Sequence, residues 1–151
     1  MRQKGFCRVS AAGQRLRSVA METIDLQSAT EVEFMDITNR VQDAVNRLGM
    51  SDGICHVYVP HTTAGLTVNE NADPSVQRDI VAALRRIVPD EQPYEHREGN
   101  SPAHIKASLV GTTLAVFVES GRLVLGTWQG IFFCEFDGPR TRRVYVKGLR
   151  G

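Results

Sequence analysis

The sequence predicts an α+β domain, namely an antiparallel β-sandwich-like fold with two longer helices and one short helix. Three observations support this prediction. Apolar residues at helical spacing fall in the first two-thirds of the chain, and β-rich segments dominate its end. Tight-turn residues separate the late strands, which is typical of antiparallel hairpins. We therefore expect two packed antiparallel sheets with the helices on one side.

Length and composition indicate one globular domain. The chain has 151 residues, 42% of them hydrophobic and 23% charged, with a net charge of +1. No segment is apolar enough to span a membrane, and the near-neutral charge predicts neither a nucleic-acid nor a membrane partner. The three cysteines are far apart and odd in number, which predicts reduced thiols and a cytoplasmic protein.

The first 20 residues differ from the rest because they are basic and contain no acid. Two interpretations stay open: a transit peptide, or an extension ahead of a domain that starts at Met21. We predict a flexible, start-site or targeting segment at residues 1–20 and a single domain at residues 21–151. The basic residues of the segment are Arg2, Lys4, Arg8, Arg15 and Arg17.

The first elements of the domain are two strands and a helix. Residues 21–34 alternate weakly, which predicts an edge strand, a polar turn and a second short strand. Asp36 is a good N-cap for a helix over residues 37–48, where apolar residues recur at helical spacing. Gly49 is expected to end this helix.

A β-rich segment follows, and Pro60 ends it. Its alternation places Cys55, Val57 and Val59 on one face. Residues 65–69 predict another short strand.

Two helix starts of the same kind come next, each with a capping residue followed by proline. Asp73 begins a helix that Pro89 stops, and Ser101 caps a short helix that runs to about Val110. The first of these helices carries an apolar stripe that we expect to be buried. The stripe consists of Val76, Ile80, Ala83, Leu84 and Ile87.

The end of the chain predicts consecutive strands joined by tight turns. Turns are expected at Ser120-Gly121, at Gly130 and at Asp137-Gly138-Pro139. The predicted strands span residues 112–119, 122–127, 130–137 and 141–147.

Three of the four histidines lie at the ends of predicted elements, where binding sites are usually built. They are His61, His96 and His104, whereas His56 lies within a strand and is interpreted as structural. Three histidines with an open fourth position are typical of a reactive zinc site. Their wide separation in the chain forms no local ligand motif, so an ordinary surface role for His104 also stays open.

The start of the third helix suits an anion, because its first N–H groups have no partner within the helix. His104 lies near this end and should prefer to be neutral. Ser108 shares its helix face, since the two residues are four apart. Asn100 lies just ahead of the predicted cap.

Two carboxylates lack a simple structural role in the sequence. Glu70 is flanked by Asn69 and Asn71, whose amides could orient a ligand. Glu135 lies in an apolar strand and needs a partner, because an unpaired buried charge is costly. The nearest candidate in sequence is Arg140, and both a structural pair and a catalytic role stay open.

Three long stretches resemble one family. They are "HTTAGLTVNENADP", "HREGNSPAHIKASLVG" and "GRLVLGTWQGIFFCEFDGPR". In this order they are similar to the YjbQ-like family, to which secondary thiamine-phosphate synthase activity is attributed. The resemblance covers about residues 22–148, and the basic segment at residues 1–20 departs from it.

The resemblance implies a sandwich-like α+β fold and a homotrimer with its site near subunit boundaries. It also implies a metal or anion site at His61, His96 and His104. The same motifs contain Asn71, Asn100, Ser108, Gln129, Glu135 and Arg140.

The leading hypothesis is an enzyme that joins a pyrimidine diphosphate to a thiazole phosphate with loss of pyrophosphate. A divalent metal, zinc or magnesium, would lie on the three histidines. The catalytic set is His61, His96, His104, Glu70 and Glu135. The substrate-binding set is Thr62, Asn71, Asn100, Lys106, Ser108, Gln129 and Arg140.

Two alternatives stay open. One is zinc-assisted hydrolysis with Glu70 or Glu135 as the base toward a bound water. The other is a non-enzymatic trimer that binds a metal or a phosphorylated metabolite.

Overall fold

A computed structural model describes residues 20–150. The predicted basic segment lies outside these residues apart from Ala20. In the described range the chain forms eight strands and three helices. Their bounds are β1 Met21–Gln27, β2 Glu33–Asp36, α1 Thr38–Arg47, β3 Gly53–Tyr58, β4 Ala64–Glu70, α2 Pro74–Ile87, α3 Ser101–Val110, β5 Thr113–Glu119, β6 Arg122–Leu123, β7 Gln129–Glu135 and β8 Thr141–Arg150.

The strands form two antiparallel sheets. One has the order β1-β8-β3-β5-β6, and the other has the order β2-β7-β4. The main hydrophobic core lies between them and contains Cys55, Val57 and Val59, as the alternation in the sequence predicts. The α+β sandwich-like class is therefore confirmed.

The helices do not all lie on one side, and that part of the prediction is wrong. Side chains of β7 point alternately to its two faces. Ile131 and Phe133 join the main core with Val41 of α1. Phe132 and Cys134 join a second cluster, which includes residues of α3. The three-stranded sheet therefore has α1 on one face and α3 on the other.

The predicted strand over residues 122–127 is much shorter, and Gly130 lies inside β7 rather than at a turn. Arg122–Leu123 pairs with β5, and the N–H of Val124 adds one hydrogen bond to the carbonyl of Phe117 at 2.8 Å. The chain then reverses at Gly126, whose N–H donates to Oε1 of Gln129 at 2.8 Å. The N–H of Gln129 donates to the carbonyl of Gly126 at 2.9 Å. The turn between Gly126 and Gln129 directs the chain away from β5, so the residues after β6 do not extend the five-stranded sheet.

The start of α2 agrees with its expected cap, whereas Ile37 rather than Asp36 occupies the capping position of α1. Asp73 accepts the N–H of Ser75 at 2.8 Å, and Asp36 accepts the N–H of Thr38 at 2.9 Å. The expected burial of the α2 stripe is wrong, because α2 has no buried residue and Ile87 is 68% exposed. The helix lies on the surface of the described protomer.

Gly65 is needed where β4 passes α3. A Cβ on Gly65 would lie 2.6 Å from the carbonyl oxygen of Gly111 and 3.1 Å from Cγ1 of Val110. We expect Gly65→Ala to lower the free energy of unfolding by about 1–3 kcal/mol, since the backbone must move to make room. Chemical denaturation measures this loss. Gly126→Ala is the control, because its nearest neighbour is the flexible Gln129 side chain. An equal loss in both variants would contradict the close-approach explanation.

Candidate functional site

A hydrogen bond from β8 fixes His61 at the end of β3. The strand ends at Tyr58, whose partner on β8 is Tyr145. Pro60 has no N–H with which to extend the ladder. Two residues along β8, the N–H of Arg143 donates to Nε2 of His61 at 2.9 Å. The imidazole thus accepts the hydrogen bond from β8 that a backbone carbonyl would accept if β3 continued.

The ring of His61 is neutral at pH 7. Its burial lowers the pKa, and the nearby positive charge of Arg142 lowers it further. The carboxylate of Glu135 opposes this shift without reversing it. His61 therefore offers one N–H and one lone pair rather than a positive charge.

An open cavity of about 470 Å³ lies between this strand end and α3. Four of the residues selected from the sequence line it, namely His61, Thr62, His104 and Ser108. The other lining residues are Tyr58, Val59, Pro60, Ala107 and Thr112. No carboxylate is among the described residues that line the cavity, so its walls suit an anionic ligand.

His96 lies beside this cavity rather than in its wall. Its ring centroid is 5.4 Å from that of His104, with the two rings edge to face. The described structure therefore brings all three selected histidines to one region, although only His61 and His104 share the cavity wall.

The loop that carries His96 is tied to α3 by a buried lysine. Lys106 is 2% exposed, and its Nζ lies 2.8 Å from Oδ1 of Asp90. The hydroxyl of Tyr94 donates to the carbonyl of Pro89 at 2.7 Å. Lys106 is predicted to bind substrate, but its ammonium group is paired with Asp90 of the loop, and Lys106 is not among the described residues that line the cavity.

Asn100, not Ser101, occupies the capping position of α3. Its amide nitrogen donates to Oδ2 of Asp137 at 3.0 Å, so the side chain makes no capping bond to the helix. Its amide oxygen is buried without a hydrogen-bond partner among the described residues. On the same helix, the hydroxyl of Ser108 donates to the carbonyl of His104 at 2.9 Å, which leaves the Ser108 oxygen lone pairs for a ligand.

The partner of Glu135 is Arg142, and the expected pairing with Arg140 is wrong. Nη2 of Arg142 lies 2.6 Å from Oε1 of Glu135, and Nε lies 2.7 Å from Oε2. Arg142 also donates to Oγ1 of Thr63 at 2.8 Å. Arg140 instead bonds to Asp137 at 2.8 Å. Adjacent residues of β8 therefore hold both ends of the short segment from His61 to Thr63.

Glu135 is ionised although it is fully buried. Burial alone would raise its pKa, but hydrogen bonds and the positive charge of Arg142 outweigh burial and lower the pKa below its usual value. Ser28 and the N–H of Asp137 also donate to this carboxylate. Both oxygens of Glu135 are thus engaged within the described protomer, and Glu135 is not among the described residues that line the cavity.

The remaining selected residues lie at the opposite end of the three-stranded sheet. Along β4, Ala64 pairs with Glu135 at the cavity end, and Glu70 pairs with Gln129 at the other. Six residue steps along β4 separate these ends by roughly 20 Å. At the far end, Nδ2 of Asn71 donates to an aspartate on β2 at 2.7 Å. Within one protomer, the selected residues therefore form two groups, one at the cavity and one at the far end of β4.

The three-histidine metal site does not fit the donor atoms of one protomer. Among residues 20–150, no group of three or more His, Cys, Asp or Glu side chains is placed to hold a metal ion. The lone pair of His61 Nε2 already accepts the N–H of Arg143. The metal stays a prediction, and no chemical step is derived through it.

Other possible sites are less suitable. A second cavity of about 380 Å³ lies between α2 and β2, and none of the selected residues lines it. Cys55 and Cys134 are free and buried, as expected, and burial raises the pKa of Cys55 to about 11. Cys7 lies outside the described residues. None of the described helices is long and apolar enough to cross a membrane.

The sequence reasoning missed Arg142, Thr63 and Asp90, which support the site. The sequence contained a signal for Arg142, because it is two residues before Val144 and therefore on the same strand face as Val144 and Val146. All three side chains are buried. No local pattern marked Asp90, since its contact with α3 spans a 16-residue separation.

Comparison with protein families gives a match over nearly the whole domain. The model for the family described as UPF0047 protein YjbQ-like matches residues 22–151. The chain is 48% identical to UPF0047 protein YugU of Bacillus subtilis, over 84% of this chain and 97% of that protein. It is 54% identical to UPF0047 protein MJ1081 of Methanocaldococcus jannaschii, over 76% and 83% of the two chains.

Solved structures share the fold. One is an uncharacterised conserved protein of the YjbQ/UPF0047 family from Clostridium acetobutylicum, with a TM-score of 0.83 and 53% identity over 85% of this chain and 99% of that one. Another is a YbjQ-like protein of unknown function from Sulfolobus solfataricus, with a TM-score of 0.84 and 33% identity over 88% and 98% of the two chains.

Proposed function

The chain belongs to the UPF0047 YjbQ-like family, and we propose that it is a transferase of phosphorylated small molecules with secondary thiamine-phosphate synthase activity. The cavity between His61 and His104 is the proposed active site. In the proposed reaction, a pyrimidine diphosphate and a thiazole phosphate join, and pyrophosphate leaves.

The chemistry of the cavity wall is the observation that carries this proposal. Imidazole and hydroxyl groups line it without a carboxylate among the described lining residues. Its volume of about 470 Å³ falls within the range of small-molecule sites. Hydrogen-bond donors from His61, Thr62 and His104 suit a phosphate or diphosphate better than a cationic ligand.

The proposed step is a displacement at the methylene carbon of the pyrimidine. The bond from this carbon to the diphosphate oxygen breaks, and its electron pair leaves with pyrophosphate. The thiazole nitrogen supplies the pair for the new carbon–nitrogen bond. Charge accumulates on the departing oxygen, where His61, Thr62 and His104 would donate hydrogen bonds that strengthen in the transition state.

The same geometry favours transfer over hydrolysis. Zinc-assisted hydrolysis was expected to use Glu70 or Glu135 as a base. Glu135 is fully buried against Arg142, and Glu70 lies at the far end of β4. Neither lines the cavity, whereas a transfer driven by pyrophosphate departure needs donors at the leaving group.

We also propose that the protein assembles as a homotrimer. An apolar patch on the outer face of the five-stranded sheet supports self-association. Ile54 pairs with Phe117 on β5 and with Leu149 on β8. Phe117 is 66% exposed and Leu149 is 53% exposed. These three residues are called the outer patch.

The outer patch predicts how the assembly can be broken. We expect the double variant Phe117→Lys and Leu149→Lys to elute as a monomer, because buried lysines would face one another without partners. Light scattering coupled to size exclusion measures the mass. Ile87→Lys is the control, because Ile87 is an exposed apolar residue of similar exposure that lies on α2 instead of on the outer patch. A trimer that survives the double substitution would contradict the proposed interface.

The transfer reaction can be tested with purified protein, the two phosphorylated precursors and added magnesium. We expect thiamine phosphate and pyrophosphate to appear in equal amounts, because one bond forms for each bond broken. Product is measured by fluorescence after oxidation, and pyrophosphate by a coupled assay. Phosphate or pyrophosphate released without thiamine phosphate would favour hydrolysis. Binding of the precursors without either product would favour the non-enzymatic alternative.

A further inference from the structure

We infer that His61 is a fixed hydrogen-bond donor that binds a phosphate group directly through Nδ1–H, and that it is not a metal ligand. This inference names the group of the proposed active site that contacts the substrate. It rests on the proposed function only for what that substrate is. It departs from the expectation that His61 belongs to a three-histidine metal centre.

The hydrogen bond from β8 decides which ring nitrogen carries the proton. Nε2 of His61 accepts the backbone N–H of Arg143 at 2.9 Å. A neutral imidazole has one N–H and one lone pair. Because the lone pair is at Nε2, the hydrogen must be on Nδ1. Neither nitrogen then has a lone pair available for a metal ion.

The ring cannot easily turn over to exchange its two edges. A half-turn would place a carbon opposite the Arg143 N–H and leave this donor without an acceptor, which costs about 1–3 kcal/mol. The register of β8 with β1 fixes the position of Arg143 opposite Asp25. Arg142, the preceding residue, is anchored to Glu135 and Thr63. The N–H of Arg143 therefore cannot move to restore the hydrogen bond if the His61 ring rotates.

His61 and Thr62 then present hydrogen-bond donors to the cavity rather than ligands for a cation. Nδ1–H is the polar group that His61 has left for the cavity it lines. Thr62 adds a hydroxyl, and no acidic side chain among the described lining residues competes for these donors. Phosphate oxygens accept hydrogen bonds from neutral N–H and O–H groups, and bonds to a charged acceptor are the stronger ones.

The test combines the tautomer of His61 with pyrophosphate binding by chelator-treated full-length protein. Nitrogen NMR of the wild type at neutral pH is expected to show His61 protonated on Nδ1. Calorimetry is expected to show pyrophosphate binding without a divalent metal. His61→Gln should weaken this binding by about tenfold or more, since its amide lies near the Nε2 position. His61→Asn should bind better than His61→Gln, because its amide lies near the Nδ1 position.

Two results would overturn the inference: a His61 proton on Nε2, or pyrophosphate binding that requires zinc and is lost equally in both variants. The wild-type NMR result does not depend on whether a variant folds, and thermal melting checks the variants. Failure of the proposed function gives a different pattern. In that case pyrophosphate binds to the Nδ1–H tautomer, yet the two precursors yield no thiamine phosphate.

Discussion

His104→Ala is expected to lower kcat/KM for thiamine-phosphate formation by about 100-fold or more, the usual effect of removing one donor to a developing negative charge. His104 lines the cavity opposite the strand end and also contacts His96, whose ring would lose its neighbour. If His104 acts in the transition state, most of the loss should appear in kcat rather than in KM.

The matched control for His104 is its neighbour on α3. Ile105 is 40% exposed and is not among the residues that line the cavity. Ile105→Ala should therefore keep kcat/KM within about threefold of the wild type, because it removes no group from the site. Equal activities in the two variants would remove His104 from the mechanism.

Arg142→Met is expected to lower the free energy of unfolding by about 3–5 kcal/mol, because it leaves Glu135 as an unpaired buried charge. Urea denaturation at pH 7 measures the loss. Adding Glu135→Leu should restore part of the stability, since the uncompensated carboxylate is then absent. Arg140→Met is the control and should cost less than about 1 kcal/mol, because its ion pair with Asp137 is partly exposed.

The stability of the buried pair also has a defined pH dependence. The pKa of Glu135 is lowered in the folded protein, so the pair stabilises the fold above the ordinary value of 4.5. This contribution is lost as the pH falls through the lowered pKa. In Arg142→Met, burial should instead raise the pKa of Glu135. The difference between wild type and variant should therefore shrink as the pH is lowered, and a constant difference would contradict the assigned ion pair.

The half of the site that surrounds the cavity could be predicted because its residues mark the ends of elements. Pro60 follows the end of β3, and the proline at the start of α3 lies two residues before His104. Both signals are local, so one sequence is sufficient to identify them. His61 and His104 reach one cavity because α3 packs against β4. Only the resemblance to a family indicated, before the structure, that these two histidines lie together.

The positions of the remaining selected residues could not be predicted, because strand register is not visible in a single sequence. Glu70 and Glu135 could each be assigned to a strand, but the pairing of Glu70 with Gln129 puts them at opposite ends of one sheet. Proximity in the chain also misled the choice of Arg140 as the partner of Glu135. Side chains of a strand alternate between its faces, so Arg142 points inward and its neighbours point outward.

A crystal structure with pyrophosphate bound tests the central claim most directly, because it locates the phosphate group without assuming a reaction. We expect a phosphate oxygen within about 3.2 Å of His61 Nδ1, in the cavity whose opposite wall carries His104. Pyrophosphate bound only in the cavity between α2 and β2, with no phosphate group near His61, would contradict the claim.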